Sequence, residues 1–298
     1  MVTLTFLGTS DAVPSEKRNH TSILLNYYGE NILVDCGEGT QRQMRKAGIN
    51  PCKLTRVLIT HWHGDHVLGL SGLLQTLALS GYNKTLFIYG PRGSKKFVEA
   101  LFKTFTFTGN LKFEVKEVIG NFFENSDFVL EAAAMNHGTS CNAYSFVLKE
   151  KIRIDKSKLE EFKISAGPFL QKLKQGKRIV YKNKSYSAKD LTYKEKERKV
   201  SFVFDTKYDK KISSFAKDSD LLVCESTFSS DEENKAMEFK HLTSKQAAEI
   251  AKQSKSKHLI LTHISQRYSK NPEEILKQAK KYFKNTVIAN DFDSFIFS

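Results

Sequence analysis

The sequence predicts a layered α/β fold carrying an inserted basic arm. Three observations predict it. Short apolar runs alternate with helical stretches along most of the chain, the rhythm of an α/β architecture. Two halves repeat one device: Asn31-Ile-Leu-Val-Asp35 resembles Ser201-Phe-Val-Phe-Asp205, and Val57-Leu-Ile-Thr-His61 resembles Leu259-Ile-Leu-Thr-His263. Residues 149–199 break the rhythm with a sparse hydrophobic pattern and many lysines. Two related halves that pack their sheets together would leave a cleft along the shared edge, where apolar strands deliver Asp35, His61, Asp205 and His263.

The elements follow in order. Leu4-Thr-Phe-Leu alternates as a strand does, and Ser22–Tyr27 and Asn31–Val34 flank a hairpin turn at Tyr28-Gly-Glu. A helix runs from about Glu38 to Lys46 and stops at Gly48. Arg56–Thr60 is a strand, and a Leu-rich helix follows Asp65. Strands are expected at Thr85–Tyr89, Lys112–Val118, Phe128–Ala133 and Tyr144–Leu148. The basic segment contains Lys156–Phe162, a Gly167-Pro168 stretch and a hairpin-like Arg178–Tyr186, and reads as an arm with some structure of its own. Strands then recur at Val200–Phe204, Leu221–Cys224, Leu259–Thr262 and Val287–Ala289, with helices from Thr243 and Pro272. The resulting domains are 1–148 and 200–298, two halves of one body, with 149–199 inserted between them.

Composition excludes several classes. With 298 residues, 40% of them hydrophobic, the chain can bury a sizeable core, and wholesale disorder is excluded. No apolar run approaches the roughly 18 residues of a membrane span, and the N-terminus has no secretory pattern. Four scattered cysteines without a Cys-x-x-Cys pair argue against a disulfide framework or a thiolate zinc knuckle, and favour the reducing cytoplasm. Charge is uneven. Residues 149–199 hold seventeen Lys/Arg against seven Asp/Glu, whereas the rest hold thirty against twenty-six. Such a module suits a polyanion, nucleic acid first, although a solvated lysine-rich surface would have the same composition.

The segment His61-Trp-His-Gly-Asp-His66 points to metal. In extended backbone His61 and His63 face the same way and can share one ion. A turn at Gly64 would then aim Asp65 and His66 at a second. A solvated turn could also hold three histidines, but apolar strand and helix flank this one and put it at a core edge. Imidazole and carboxylate donors without thiolate fit zinc, with manganese or iron as alternatives. A pair of ions needs more ligands, and the strand ends provide them. His61, His63 and His137 would hold one ion and Asp65, His66 and His263 the other, with Asp205 between them and Asp35 behind. Two such ions clamp the attacking and leaving oxygens of a displacement.

These residues resemble the metallo-β-lactamase fold, a four-layer αββα sandwich. Further motifs are similar to ribonuclease Z, the endonuclease that trims the 3′ trailer from precursor tRNA: Gly8-Thr-Ser-x-x-x-Pro14, Arg18-Asn19, Val34-Asp-Cys-Gly-Glu-Gly-Thr40, Phe204-Asp-Thr206, His241-Leu-Thr243, Thr262-His-Ile-Ser-Gln-Arg-Tyr268 and the Gly167-Pro168 arm. Trp62 stands where Phe is more usual, and Lys17 lies beside Arg18 rather than two residues before it. The residues themselves suggest Asp65 as general base, His241 as general acid and Glu225 as the carboxylate that orients it; the resemblance implies the same His241–Glu225 pair. Arg267, four residues past a ligand, is a candidate phosphate clamp. The resemblance further implies that Arg18, Asn19, Gly167 and Pro168 contact substrate, that the arm grips the tRNA, and that the chain works as a homodimer. A small-molecule metallohydrolase of the same fold, a thioesterase or lactonase, is the alternative; it has no use for the basic arm or for His241 with Glu225. A non-enzymatic nucleic-acid binder would leave the metal ligands without purpose.

Overall fold

The structure is a computed structural model and describes residues 1–297. Strands β1 (Val2–Gly8), β2 (Ser22–Tyr27), β3 (Glu30–Val34), β4 (Arg56–Leu58), β5 (Thr85–Gly90) and β6 (Lys112–Glu117) lie side by side in that order. Strands β7 (Gly120–Glu124), β8 (Phe128–Asn136) and β9 (Ser140–Leu148) begin a second sheet. After the short strands β10 (Lys151–Ile154), β11 (Ile179–Tyr181), β12 (Lys184–Tyr186) and β13 (Thr192–Glu195), that sheet is completed by β14 (Arg198–Val203), β15 (Leu221–Glu225), β16 (His258–Thr262) and β17 (Thr286–Ile288). The final strand, β18 (Ser294–Phe297), returns to pair with β1, so each sheet has seven strands.

The chain divides into two compact units. One comprises 1–123, 130–146 and the chain from 199 onward; the other comprises 124–129 and 147–198. In the first, helices α1 (Thr40–Lys46), α2 (Gly64–Leu79) and α3 (Ser94–Thr104) share a core with the first sheet, through Leu33, Val57, Leu70 and Leu74. The second unit contains α4 (Lys156–Glu161), α5 (Gln171–Lys174) and α6 (Ala188–Leu191). Back in the first unit, α7 (Lys210–Phe215), α8 (Glu233–Phe239), α9 (Ser244–Gln253) and α10 (Glu273–Lys280) follow. Here Ala247 and Ala251 of α9 pack with Val203, Leu222 and Leu259 of the second sheet. The buried Tyr144 links the sheets, its hydroxyl donating to the Ile59 carbonyl at 2.8 Å.

Strands β3 to β6 run parallel, and so do β14 to β17. Parallel strands leave a crevice beyond their carboxyl ends, and polar groups gather there. β4 ends at Leu58, two residues short of the expected Thr60, because the Thr60 amide donates to the Asp35 carboxylate at 2.7 Å instead of continuing the strand.

The second unit has its own apolar cluster, formed by Leu159, Ile164, Leu170, Leu173, Ile179 and Leu191. β10 pairs antiparallel with β13, a pairing that the apolar pattern of the chain does not announce. The β11–β12 hairpin turns on Lys182 and Asn183, both left-handed, with φ of 48° and 62°. A Cβ on Gly167 would stand 2.7 Å from the Phe169 ring, so any side chain there would have to displace that ring.

Candidate metal and catalytic centre

The site is assembled by turns as much as by strands. α2 begins at Gly64, with His63 as its N-cap in extended backbone. Gly64 is not left-handed, so the turn is made by His63 rather than by glycine freedom. The loop after β3 lies close against α2: the Cys36 amide donates to the His66 carbonyl at 2.8 Å, and the Gly69 amide to the Cys36 carbonyl at 3.0 Å. A Cβ on Gly37 would come within 2.5 Å of the Asp65 carbonyl oxygen, which explains glycine inside Asp35-Cys-Gly-Glu. Trp62 turns away from its histidine neighbours, donates to Ser94 Oγ at 2.8 Å and stacks on Phe97.

Asp35, Asp205 and His263 have φ of 58°, 39° and 57°. Left-handed backbone is costly for residues with a Cβ and persists where surrounding structure enforces it. All three follow the carboxyl ends of parallel strands and have their side chains turned into the crevice.

Two donor sets result. His61, His63, His137 and Asp205 form one, and Asp65, His66, Asp205 and His263 the other, each with donor atoms within 4.8 Å of one another. His137 Nε2 lies 3.1 Å from His63 Nδ1 and 3.8 Å from Asp205 Oδ2, and His61 Nε2 lies 3.5 Å from the same oxygen. In the other set His66 Nε2 and His263 Nε2 approach Asp65 Oδ2 at 3.2 and 3.3 Å. Asp205 Oδ2 is 3.5 Å from His66 Nε2, while Asp205 Oδ1 is 3.2 Å from His263 Nε2. A tetrahedron with arms of about 2.0–2.1 Å has edges of roughly 3.3 Å, so these spacings fit zinc-sized cations. Two buried donors, His61 Nε2 and Asp205 Oδ1, have no hydrogen-bond partner. Burial, followed by the neighbouring His66, pushes His61 well below the ordinary imidazole range, into the neutral form that ligates.

The opposite ring nitrogens are tied down. His66 Nδ1 is 2.7 Å from Asp35 Oδ2, and Asp35 also accepts from the Thr60 amide and hydroxyl. His137 Nδ1 faces the Lys240 carbonyl at 3.1 Å, and His263 Nδ1 faces Thr227 Oγ1 at 2.8 Å. Such partners fix which nitrogen points inward.

Beside the donors stands His241, two residues before the Thr243 N-cap of α9, whose capping box is complete. Its Nδ1 is 2.9 Å from Glu225 Oε2. The fully buried Glu225 also accepts from the Thr206 amide at 2.7 Å and the Thr227 hydroxyl at 2.6 Å. Burial pulls the His241 imidazole down, but Glu225 and then Asp205 outweigh it and lift the group to about 9. His63, Asp65, Asp205, His241, His263 and Arg267 all open onto one cleft of about 370 Å³.

Arg18 and Asn19 are not brought to this cleft. The Arg18 guanidinium is 5% exposed and is spent on Thr9 Oγ1, the Ala289 carbonyl and Asn290 Oδ1, at 2.6–2.8 Å. The Asn19 amide donates to Asp291 Oδ2 and its side chain to the Glu38 carbonyl. Both residues clasp the C-terminal segment to the loop after β1 and line a separate cleft. Gly167 and Pro168 lie in the second unit. Sequence reasoning missed the roles of Thr60 and Thr227, whose hydroxyls carry no spacing signature.

The chain has clear relatives. It is 41% identical over 293 residues to the ribonuclease Z of Methanothermobacter thermautotrophicus, covering 98% of this chain and 95% of that protein. It is 38% identical over 301 residues to the ribonuclease Z of Bacillus cereus, covering 97% of each. Among solved structures, the short form of human tRNase Z superposes with a TM-score of 0.72 at 26% identity, over 99% of this chain and 98% of that one. The metallo-β-lactamase fold protein YhfI of Bacillus subtilis gives 0.71 at 21% identity, over 99% and 98%, and so shares the fold. A family model described as "Anti-Pycsar protein Apyc1" matches residues 2–163. The chain therefore belongs to the ribonuclease Z family, and over residues 2–163 also to the family that the Apyc1 model describes.

Proposed function

We propose that this protein is a metal-dependent endoribonuclease that removes the 3′ trailer from precursor tRNA and leaves a 3′-hydroxyl on the tRNA. The observation that carries the reading is His241, held by the buried Glu225 and opening into the cleft beside the seven candidate ligand side chains, in a chain of the ribonuclease Z family. A thioester expels a thiolate that needs little protonation, whereas the 3′ oxygen of a ribose must be protonated.

His61, His63 and His137 would hold one divalent ion, Asp65, His66 and His263 a second, and Asp205 would reach both. Zinc suits these donors best, with manganese or iron as alternatives. Bound there, two cations would neutralise the scissile phosphate and make water nucleophilic near neutral pH. Asp65 accepts the proton of the attacking water. His241, with Nδ1 engaged by Glu225, has Nε2 left to donate a proton to the departing 3′ oxygen, and its raised pKa keeps that proton at neutral pH. Arg267 offers a cation to the phosphate from the cleft wall. Asp35 orients His66.

Residues 149–199 would serve as a tRNA-binding arm, with Gly167-Pro168 in its centre and its lysines paired with phosphates. A homodimer acting in the cytoplasm completes the reading. No helix among the described residues is long and apolar enough to cross a membrane.

The test incubates zinc-loaded protein with a 3′-extended precursor tRNA and, separately, with a thioester. Cleavage at one position with a 3′-hydroxyl product is expected, and a chelator should abolish it. His63→Ala should lose metal as well as rate, because one ion then has too few ligands. Thioester hydrolysis without tRNA cleavage would overturn the proposal, as would full activity in a metal-free preparation.

A further inference from the structure

One wall of the cleft is aromatic and has no part in metal binding or proton transfer. Phe228 and Phe239 stand with ring centroids 6.3 Å apart and planes within 14° of parallel. Phe228 is buried, whereas Phe239, the last residue of α8, is 55% exposed although it is a phenylalanine on the rim of a polar site. What sets Phe239 apart from other exposed aromatics is its place on the cleft wall, where its ring face is open to whatever the cleft binds. The guanidinium of Arg267 lies 5.5 Å from the Phe228 ring centroid, which gives the wall a cationic edge. Phe228 is also 6.1 Å from the His241 ring, and all four residues line the same cleft.

We infer that the Phe239 ring, backed by Phe228 and flanked by Arg267, is a stacking platform for a nucleobase: the base of the nucleotide whose 3′ oxygen leaves. The inference rests on the ribonuclease reading above. His241 marks the leaving-group side of the site, because the acid must stand at the departing oxygen. A base attached to that ribose is then the group nearest Phe228 and Phe239. Phosphate and sugar have no flat face to offer an aromatic ring, but every base does, so the platform takes any of the four with modest preference. Arg267 can hold the neighbouring phosphate and extend the stack through its planar guanidinium. Lys240, which follows Phe239, is left-handed at φ 56° and gives its carbonyl to His137 Nδ1. The platform is thereby joined to a metal ligand and has a fixed height over the cleft.

The experiment is a double-mutant cycle between protein and substrate. Wild type, Phe239→Ala and Phe239→Trp are each loaded with zinc and assayed on two precursor tRNAs. One is natural, and the other is abasic at the last retained nucleotide. Metal content and thermal transition are recorded for every variant. We expect Phe239→Ala to lower kcat/KM on the natural substrate by roughly 5- to 150-fold, the worth of one base–aromatic stack. Wild type should lose a similar factor on the abasic substrate, and the two losses should not add. Phe239→Trp should retain the natural rate. Additive losses, or an undiminished rate in Phe239→Ala, would overturn the platform while leaving the ribonuclease reading intact. Wild type that does not cut the natural precursor at all would overturn both. Loss of metal in Phe239→Ala would assign the ring a packing role instead and overturn the inference.

Discussion

At the scale of single residues, the site is a set of imidazoles each held from behind. Asp35 holds His66, Thr227 holds His263, the Lys240 carbonyl faces His137, and Glu225 holds His241. The first three rings belong to the candidate donor sets and would offer a neutral nitrogen to a bound cation; His241 stands outside both sets and has Nε2 left for a proton. Glu225 lies 2.9 Å from His241 Nδ1 and, against burial that pulls the imidazole down, is the strongest influence lifting it to about 9. Removing it therefore moves the pKa down. For Glu225→Gln, kcat on precursor tRNA should begin to fall at lower pH than in wild type, because the acid form is lost earlier as pH rises. Bound cations oppose the protonated imidazole, so both alkaline limbs belong below the value of about 9. His241→Ala should abolish the limb and lower turnover by about 10²–10⁴, the usual worth of a general acid, with metal content unchanged. Full pH profiles of kcat check this; a limb that does not move in Glu225→Gln excludes His241 as the acid it orients. This cluster of candidate ligands could be proposed from the sequence because eight histidines leave few choices and strand ends are recognisable. Thr60 and Thr227 could not, since a hydroxyl gains meaning only from the neighbour that folding gives it. The internal bonds of Arg18 were not legible either, because Asn290 and the Ala289 carbonyl lie more than 270 residues away.

At the scale of elements, close approach of α2 to the loop after β3 sets the site. Gly69 and Gly72 both lie on α2, and either would gain about 1 kcal/mol in helix propensity as alanine. They differ in what a Cβ would meet. At Gly72 it meets the amide end of Gln41 at 2.5 Å, a flexible side chain that can move. At Gly69 it runs into the carbonyl of Gly37, which is backbone. Gly72→Ala should be neutral or slightly stabilising. Gly69→Ala should destabilise by about 1–3 kcal/mol and weaken metal binding, because α2 bears Asp65 and His66 and must shift. Thermal melts and zinc titration of the two variants check the contrast, and equal behaviour would mean that the approach is not tight. Most strands and the α9 capping box could be read from apolar runs and cap residues. The β10–β13 pairing could not, because Lys151-Ile-Arg-Ile and Thr192-Tyr-Lys-Glu are 38 or more residues apart and lack a matching apolar face. The cluster of Leu159, Ile164, Leu170, Leu173, Ile179 and Leu191 likewise has no helical or strand period, so its core read as sparse hydrophobicity.

At the scale of the whole molecule, charge is divided from chemistry. Residues 149–199 hold seventeen Lys/Arg against seven Asp/Glu, yet supply none of the proposed ligands or proton donors. Their apolar cluster is internal to the second unit, so removing them need not open the core that holds the metal site. The structure offers a clean excision. Ile154 and Thr192 are direct partners in the β10–β13 ladder, so a two-residue turn can join them and replace 155–191. That segment carries ten Lys/Arg and four Asp/Glu. If its lysines meet phosphates, their removal reduces the number of counterions released on binding, and the dependence of tRNA affinity on salt becomes shallower. Interactions made away from the cut stabilise ground state and transition state alike, so removing them should raise KM more than it lowers kcat. A nitrophenyl phosphodiester is too small to need the arm, and the excised protein should hydrolyse it at a near-normal rate with two metals bound. Steady-state kinetics on precursor tRNA and on the diester, each across a salt series, separate the outcomes. An unchanged salt slope on tRNA would show that the lysines do not hold it, and parallel loss on both substrates with metal retained would show that the second unit supports the catalytic site itself.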